Sequence, residues 1–455
     1  MTMEVEIVSR ECIKPSSPTL STHHLKTHKS SLLDQFVPSA YFPLILFYQP
    51  NQPSSSSSIS ETSQVLKQSL SQILTLYYPL AGKAEDHLSI DCNDEGACYI
   101  NARIDCNLCD YLKHPTTSAF PKFLPDEIMY REVVPGDHVL MIQETLFSCG
   151  GIAIGVVASH KIFDATALCT FMRTWAIIAR DSIEGAPTPD FSAPSIFPQN
   201  HPFPQDLTTP GLSSLLIGDG MSVMKRFVFD GSVLSNLKAK AASSMVPNPT
   251  RTEVASAFLL KRIMSAFKLK SGTQKPALVT NTVNLRRRAV PQFPETFVGN
   301  FVILVAKMIS KSEGEEIELC DFVHQMREAV LAINGDLVKS FEGDEGLGNF
   351  CGALKEFREL VLKSVSEGME QVAINSWCNL GLYEVDYGWG KPLWIPFAGA
   401  VAGAAQLPPV NMILLMDARD NKGVEAWVAL NEQVMHLLEN DEELLSLASV
   451  NPSPL

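Results

Sequence analysis

The feature that most constrains this chain is a stretch with no polar side chain, Ile152-Ala-Ile-Gly-Val-Val-Ala158. A run of this length without a polar face reads as a strand covered on both sides. Such a strand needs a layered fold, with helices or a second sheet packed over it. Its neighbours agree. Residues 138–147 read as a strand, and Cys149-Gly-Gly151 supplies the turn between the two. Beyond the run comes Ser159-His-Lys-Ile-Phe-Asp164, after which Leu168, Phe171, Met172 and Trp175 recur at helical spacing to about Arg180.

The same alternation of strand and helix patterns runs through the rest of the chain. Residues 51–60 are a polar, serine-rich loop, followed by an amphipathic helix on Leu66, Leu70, Ile73, Leu74 and Tyr77 that stops at Pro79. Residues 185–221 are rich in proline and lose periodicity, which marks a linker. Strands are expected at Met224–Phe229, 278–285, 301–308, 374–385, 395–405, 411–417 and 424–430. Helices are expected at 231–242, 319–340, 353–371 and 431–448, and one opens at Thr250-x-x-Glu253, a capping box. At 455 residues one core is too few. We therefore expect an N-terminal domain (1–190), a crossover linker (191–221) and a C-terminal domain (222–455).

Bulk properties exclude several function classes. The net charge of −14 opposes nonspecific nucleic-acid binding, which depends on basic patches. Ten cysteines spread through this length are not the dense framework of a small secreted domain. No apolar run of about 18 residues predicts a membrane span, and neither end carries an address signal. These features predict a cytosolic protein with reduced thiols. Cys92, Cys98, Cys106 and Cys109 lack a zinc-ribbon spacing, so no metal is expected. Gly346-Leu-Gly348 lacks the preceding strand of a dinucleotide fingerprint.

His160 is the leading candidate for chemistry: an imidazole at the end of a buried strand is rigidly held and titrates near neutrality. Asp164 is placed to orient its ring or the turn. The same spacing occurs at His87 and Asp91, but in a polar stretch with no buried strand leading into it. Trp377 reads either as an indole donor to a developing oxyanion or as a core aromatic. Thr250 and Arg251 stand at a helix start that favours anions, although Arg251 can equally be solvated. Asp386, in Asp386-Tyr-Gly-Trp-Gly390, needs a partner if buried, and Arg286 is the expected one. Gly388 and Gly390 allow positive φ or close backbone approach.

Taken together these segments resemble the plant BAHD acyltransferases over nearly the whole chain. Tyr77-Tyr-Pro-Leu-Ala-Gly-Lys83, the His160–Asp164 signature, Val283-Asn-Leu-Arg286, Gly299-Asn300, Asp386–Gly390 (with tyrosine for the usual phenylalanine) and Val424-Glu-Ala-Trp-Val428 fall in the family's order. The flavour is closest to its vinorine synthase-like clade. The resemblance implies two chloramphenicol acetyltransferase-like α/β domains with mixed sheets, an active-site channel between them and a monomer. It implies that a segment near 365–385 returns to complete the first domain's sheet. It also implies acyl-CoA, favouring acetyl-CoA, as co-substrate, with no permanently bound cofactor and a small-molecule alcohol as acceptor. His160 would be the base and Trp377 would lie beside the reacting centre. Asn375 stands where relatives often carry a substrate-contacting threonine. An amine acceptor, a thioester hydrolase and an inactive binding relative are the alternatives.

Overall fold

The structure, a computed structural model, describes residues 4–19, 26–49, 56–125, 132–216, 221–310, 317–398 and 410–455, the side chains of 56–60 excepted. Its first half contributes strands β1 (Val5–Ile13), β2 (Thr27–Lys29), β3 (Tyr41–Tyr48), β4 (Lys83–Ala84), β5 (Ser89–Asp91), β6 (Ala97–Ile104), β7 (Leu140–Phe147) and β8 (Ile152–Ser159). The second half contributes β9 (Ser222–Phe229), β10 (Ala277–Asn284), β11 (Val302–Ile309), β12 (Glu370–Ser376), β13 (Met412–Asp417), β14 (Val424–Asn431) and β15 (Ser449–Val450).

The apolar run is β8, and all eight of its residues are buried. It lies between β7 and β3 in a mixed sheet of order β1-β6-β7-β8-β3, antiparallel except where β6 runs parallel to β7. Each fully buried Val or Ile here contributes about 1.5–3 kcal/mol of transfer free energy. The helices Ser56–Leu76 and Ala165–Arg180 supply Leu66, Leu70, Leu168, Phe171 and Trp175 to this core. At Gly155 a Cβ would stand 1.9 Å from the carbonyl oxygen of Phe123. A glycine is therefore required for the covering segment to approach so closely.

The second sheet has the order β11-β10-β12-β13-β14-β9-β15, with β12 parallel to both of its neighbours. Thr250 caps the Arg251–Ser271 helix in the expected capping box; the helix buries Val254, Phe258, Leu259 and Ile263 in one core, and the Gly346–Ser366 helix packs into another. Gly346 and Gly348 thus belong to the first turn of a helix. Among the described residues no helix is long and apolar enough to cross a membrane.

Several expectations are corrected. The serine-rich loop ends sooner, because the helix begins at Ser56; residues 51–55 lie outside the described ones. The 319–340 helix divides at Asn334, which caps a second helix, Gly335–Ser340. Residues 395–398 form no strand, and 399–409 lie outside the described residues. The segment 370–376 does not join the first sheet: it pairs with β10 and β13 in the second. The return comes later, at Trp394, which bridges Phe47 on the open edge of β3, with Phe47 N donating to Trp394 O at 3.0 Å and Leu393 N to Phe47 O at 2.7 Å.

The proline-rich linker is no loose tether. Ala193, Phe197, Phe203, Leu207 and Leu212 are buried together with Leu32, Leu33 and Phe36 from the first half and Phe301 and Phe350 from the second. Proline limits regular structure here without preventing burial.

Candidate active site

The end of β8 delivers His160 to a junction between the halves. Its backbone N–H donates to Ala40 O at 2.8 Å, which ties the turn to the start of β3. The side chain lines a cavity of about 370 Å³ that also receives Phe42, Thr282, Asn375, Trp377 and Leu414. Side chains of β10, β12 and β13 in the second sheet thus line the same cavity as an imidazole carried by the first.

Asp164 does not touch the ring. Its Oδ1 accepts from Ala167 N at 2.8 Å, capping the Ala165–Arg180 helix, and its Oδ2 accepts from Arg286 Nη1 at 2.5 Å and Phe301 N at 3.0 Å. Arg286, 1% exposed, also donates to the carbonyls of Phe297 and Gly299, and its guanidinium lies 4.4 Å from the Phe301 ring centre. The expected pairing of Asp386 with Arg286 is therefore wrong. The buried arginine needs a carboxylate beside it, and Asp164 takes that place.

Asp386 instead folds onto its own turn: its Oδ1 accepts from Gly388 N (2.8 Å) and Gly390 N (2.9 Å), while Arg180 stands 4.0 Å away. Both glycines have positive φ, +109° and +106°. Tyr387 packs edge-on against Trp175 and stacks with Trp389. The motif thus anchors in the first core, although it belongs in sequence to the second half.

The partner of the His160 ring is Asn300. His160 Nδ1 lies 3.1 Å from Asn300 Oδ1. The amide orientation is determined by its other contacts, because Nδ2 donates to Asp34 Oδ1 (2.9 Å) and to His160 O (2.7 Å). Oδ1 must then face the ring, so Nδ1 carries the proton and Nε2 keeps its lone pair. Asp34 is held in turn by Ser31, whose N and Oγ each donate to Oδ2 at 2.7 Å. Lys161 secures the short Leu32–Phe36 helix that Ser31 caps, donating to Asp34 O at 2.9 Å and Val37 O at 2.7 Å. Burial lowers the Lys161 pKa to about 8, against the pull of Asp34. Burial likewise lowers the His160 pKa, opposed by the Asp164 charge and the Asn300 bond. The ring is therefore neutral at physiological pH and ready to accept a proton. Spacing near His160 gives no sign of Asn300 or Asp34; the Gly299-Asn300 landmark was the available clue.

Trp377 follows directly on β12 and stacks on Phe42 at 5.0 Å, and Phe42 meets the His160 ring edge-on at 4.9 Å. Asn375 accepts from the Thr282 hydroxyl across β10 and β12. These two residues and Ser376 are shared with a second cavity, of about 430 Å³, which Thr250, Thr252, Ser256, Arg288 and Arg327 help to line. Arg327 is paired with Glu253. Among the described residues, the Arg288 guanidinium has no carboxylate partner.

Thr250 and Arg251 diverge despite their adjacency. Thr250 faces the cavity just described, whereas Arg251 pairs with Asp417, donates to Asn379 Oδ1 at 2.8 Å and borders a separate opening beside Lys238 and Lys422. The triple arginine also divides. Arg286 is structural, Arg287 meets Glu295 at 3.3 Å, and Arg288 remains for an anion. Among the described residues no group of three or more His, Cys, Asp or Glu side chains is arranged to hold a metal ion.

A neutral imidazole backed by an amide, in a cavity that an indole also lines, suits proton transfer during acyl transfer. Residues 3–445 match the family model described as the Transferase family, and the chain belongs to that family, the BAHD acyltransferases. It is 43% identical to epi-neemfruitin B 7-O-acetyltransferase of Melia azedarach, with all of both chains covered. The crystal structure of vinorine synthase superposes with a TM-score of 0.78 at 32% identity, covering 99% of this chain and all of that one. A Fusarium sporotrichioides protein crystallised with coenzyme A and T-2 shares the fold, with a TM-score of 0.67 at 16% identity over 93% of this chain and 99% of its own.

Proposed function

We propose that this enzyme transfers an acyl group, acetyl by preference, from acyl-CoA to a hydroxyl of a plant specialised metabolite such as an alkaloid or terpenoid. The observation that carries this reading is the His160 ring, kept neutral by burial and held in one tautomer by Asn300. Nε2 takes the proton from the acceptor hydroxyl as its oxygen attacks the thioester carbonyl. The tetrahedral oxyanion forms beside the Trp377 indole, a donor suited to it. The imidazolium then protonates the departing thiolate. Asp164 acts without touching the ring, by fixing the turn and pairing with Arg286.

The acceptor would occupy the cavity that contains His160. The phosphate-bearing arm of coenzyme A would lie in the adjoining one, where Arg288 offers an unpaired cation and the Thr250 helix start adds its dipole. Arg251, tied to Asp417, is the weaker candidate. The name of the Melia relative supports acetyl and hydroxyl. The enzyme acts as a monomer in the cytosol.

The test is acetyl-CoA turnover against a panel of polycyclic alcohols and amines. His160→Ala should lower kcat by about 10²–10⁴, the usual contribution of a general base; near-normal turnover would reject the role. Arg288→Ala should raise the KM for acetyl-CoA roughly tenfold with kcat little changed, as expected for lost charge-assisted phosphate contacts. An unchanged KM would return the phosphate to Arg251. Acylation of amines alone would move the enzyme to amide formation, and CoA release without an acceptor would make it a hydrolase.

A further inference from the structure

The walls of the acceptor cavity show an uneven division of chemistry. Apolar side chains from both sheets form most of the surface, among them Phe42, Leu304, Phe397 and Leu414. The polar groups set among them are almost all neutral: Thr166, Thr209, Thr282, Asn284 and Asn375. Beside the neutral His160, the charged side chains lining it are Asp164 and Arg287. Asp164 is fully engaged by Arg286, the Phe301 amide and its helix cap. Arg287 is positive, and the acid it meets, Glu295, is also held by Arg173 at 2.8 Å. Behind the ring, Asp34 is committed to Asn300 and Ser31. Among the described residues no carboxylate in or behind this cavity is free to receive a cation.

The aromatic residues do not replace one. A cation cage needs ring faces converging on a point, whereas Phe42 and Trp377 lie nearly parallel, 25° apart, each turning a face to the other. Phe397 meets Trp377 at 90°, so this cluster is packed against itself. An ammonium entering here would lose its hydration shell and gain no counter-charge. A neutral frame with scattered oxygens would lose little, because threonine hydroxyls and asparagine amides can bond its ether, ester and carbonyl groups.

We infer that this cavity selects acceptors that are uncharged, oxygenated and polycyclic, and rejects those carrying a protonated or quaternary amine, which within the proposed transferase reading places the substrate among neutral terpenoid-like alcohols. The inference rests on that reading for the reaction but on the cavity alone for the selection. The probes are a polycyclic secondary alcohol with a ring quaternary carbon and its N,N-dimethylammonium isostere, so that shape is held constant and only charge changes. Calorimetric titration of the full-length enzyme should show the neutral probe binding at least about 10²-fold more tightly, the scale set by an unpaired buried charge. In Asn375→Asp, an isosteric change that adds a carboxylate, the ratio should narrow by roughly tenfold or more.

Equal binding of the two probes, tighter binding of the ammonium, failure of both to bind, or an unchanged ratio in Asn375→Asp would each overturn the selection. Acetyl transfer to the probes is recorded separately. A bound neutral alcohol that no acyl-CoA acetylates would reject the transferase reading and leave the selection standing.

Discussion

Two turns in this enzyme are closed by an aspartate accepting backbone N–H groups, and they do different work. The turn at Asp164 follows directly on His160, its carboxylate 3% exposed and paired with a buried arginine from the other half of the chain. The turn at Asp386 lies on the outer side of the first core, its side chain 25% exposed and, among the described residues, bonded to glycines within its own motif and, at longer range, to Arg180. Both are signature segments. One ties the His160 turn to the second half of the chain, and the other fastens a crossing segment to the core it returns to. A short motif therefore marks where the backbone needs fixing, and the chemistry must be read from what lies beside it.

The sharpest way to break this contrast is Asp164→Ala. It leaves Arg286 buried beside no carboxylate, which should cost about 3–5 kcal/mol and appear as lost soluble yield or a much lower midpoint in thermal melts. A stable Asp164→Ala protein that is inactive would mean that the carboxylate takes part in the reaction. Next comes Asn300→Ala, which removes the acceptor for His160 Nδ1. Turnover should fall roughly tenfold or more as the ring loses its fixed tautomer.

The pH profile gives the sign. Burial already holds the His160 pKa below 6.5, and the Asn300 bond opposes that shift. In the parent enzyme kcat/KM should rise with pH through a midpoint below 6.5 and then level off. In Asn300→Ala that limb should move to still lower pH; movement upward would contradict the bonding scheme. The smallest effects lie in the second turn and have opposite signs. Asp386→Ala should lower stability by about 1–2 kcal/mol with kcat retained. Tyr387→Phe should raise it slightly, because the buried Tyr387 hydroxyl finds no hydrogen-bond partner among the described residues, and restoring the family's phenylalanine removes that cost.

Much of this was legible in local pattern. The eight buried residues of β8 announce themselves by having no polar face, and Thr250 and Glu253 announce a helix start because a capping box is complete within four residues. The placement of His160 in a cavity followed from its position after β8. Pairings across long separations were not legible. Nothing local distinguishes Asp164 from Asp386 as the partner of Arg286, since any acid able to reach a buried guanidinium satisfies it equally on paper. The destination of β12 was hidden for a similar reason. An apolar strand fits either sheet, and register with β10 and β13 is decided by packing that the strand's own sequence does not contain. The family resemblance supplied the class of reaction and the need for a returning segment, but ended that return short of Trp394.

The bridge between Phe47 and Trp394 bears on how the molecule can be made. The rim of β3 is occupied by a piece of chain synthesised nearly 350 residues later, and Arg226 and Glu425 of the second sheet hold the same tryptophan from behind. A fragment ending near residue 190 would expose that rim, with its unpaired amides and carbonyls, as a template for another molecule's strand. The proline-rich crossover looks like a convenient place to divide the protein, yet neither half is self-sufficient there. The ribosome must deliver almost everything before that rim is covered at Phe47.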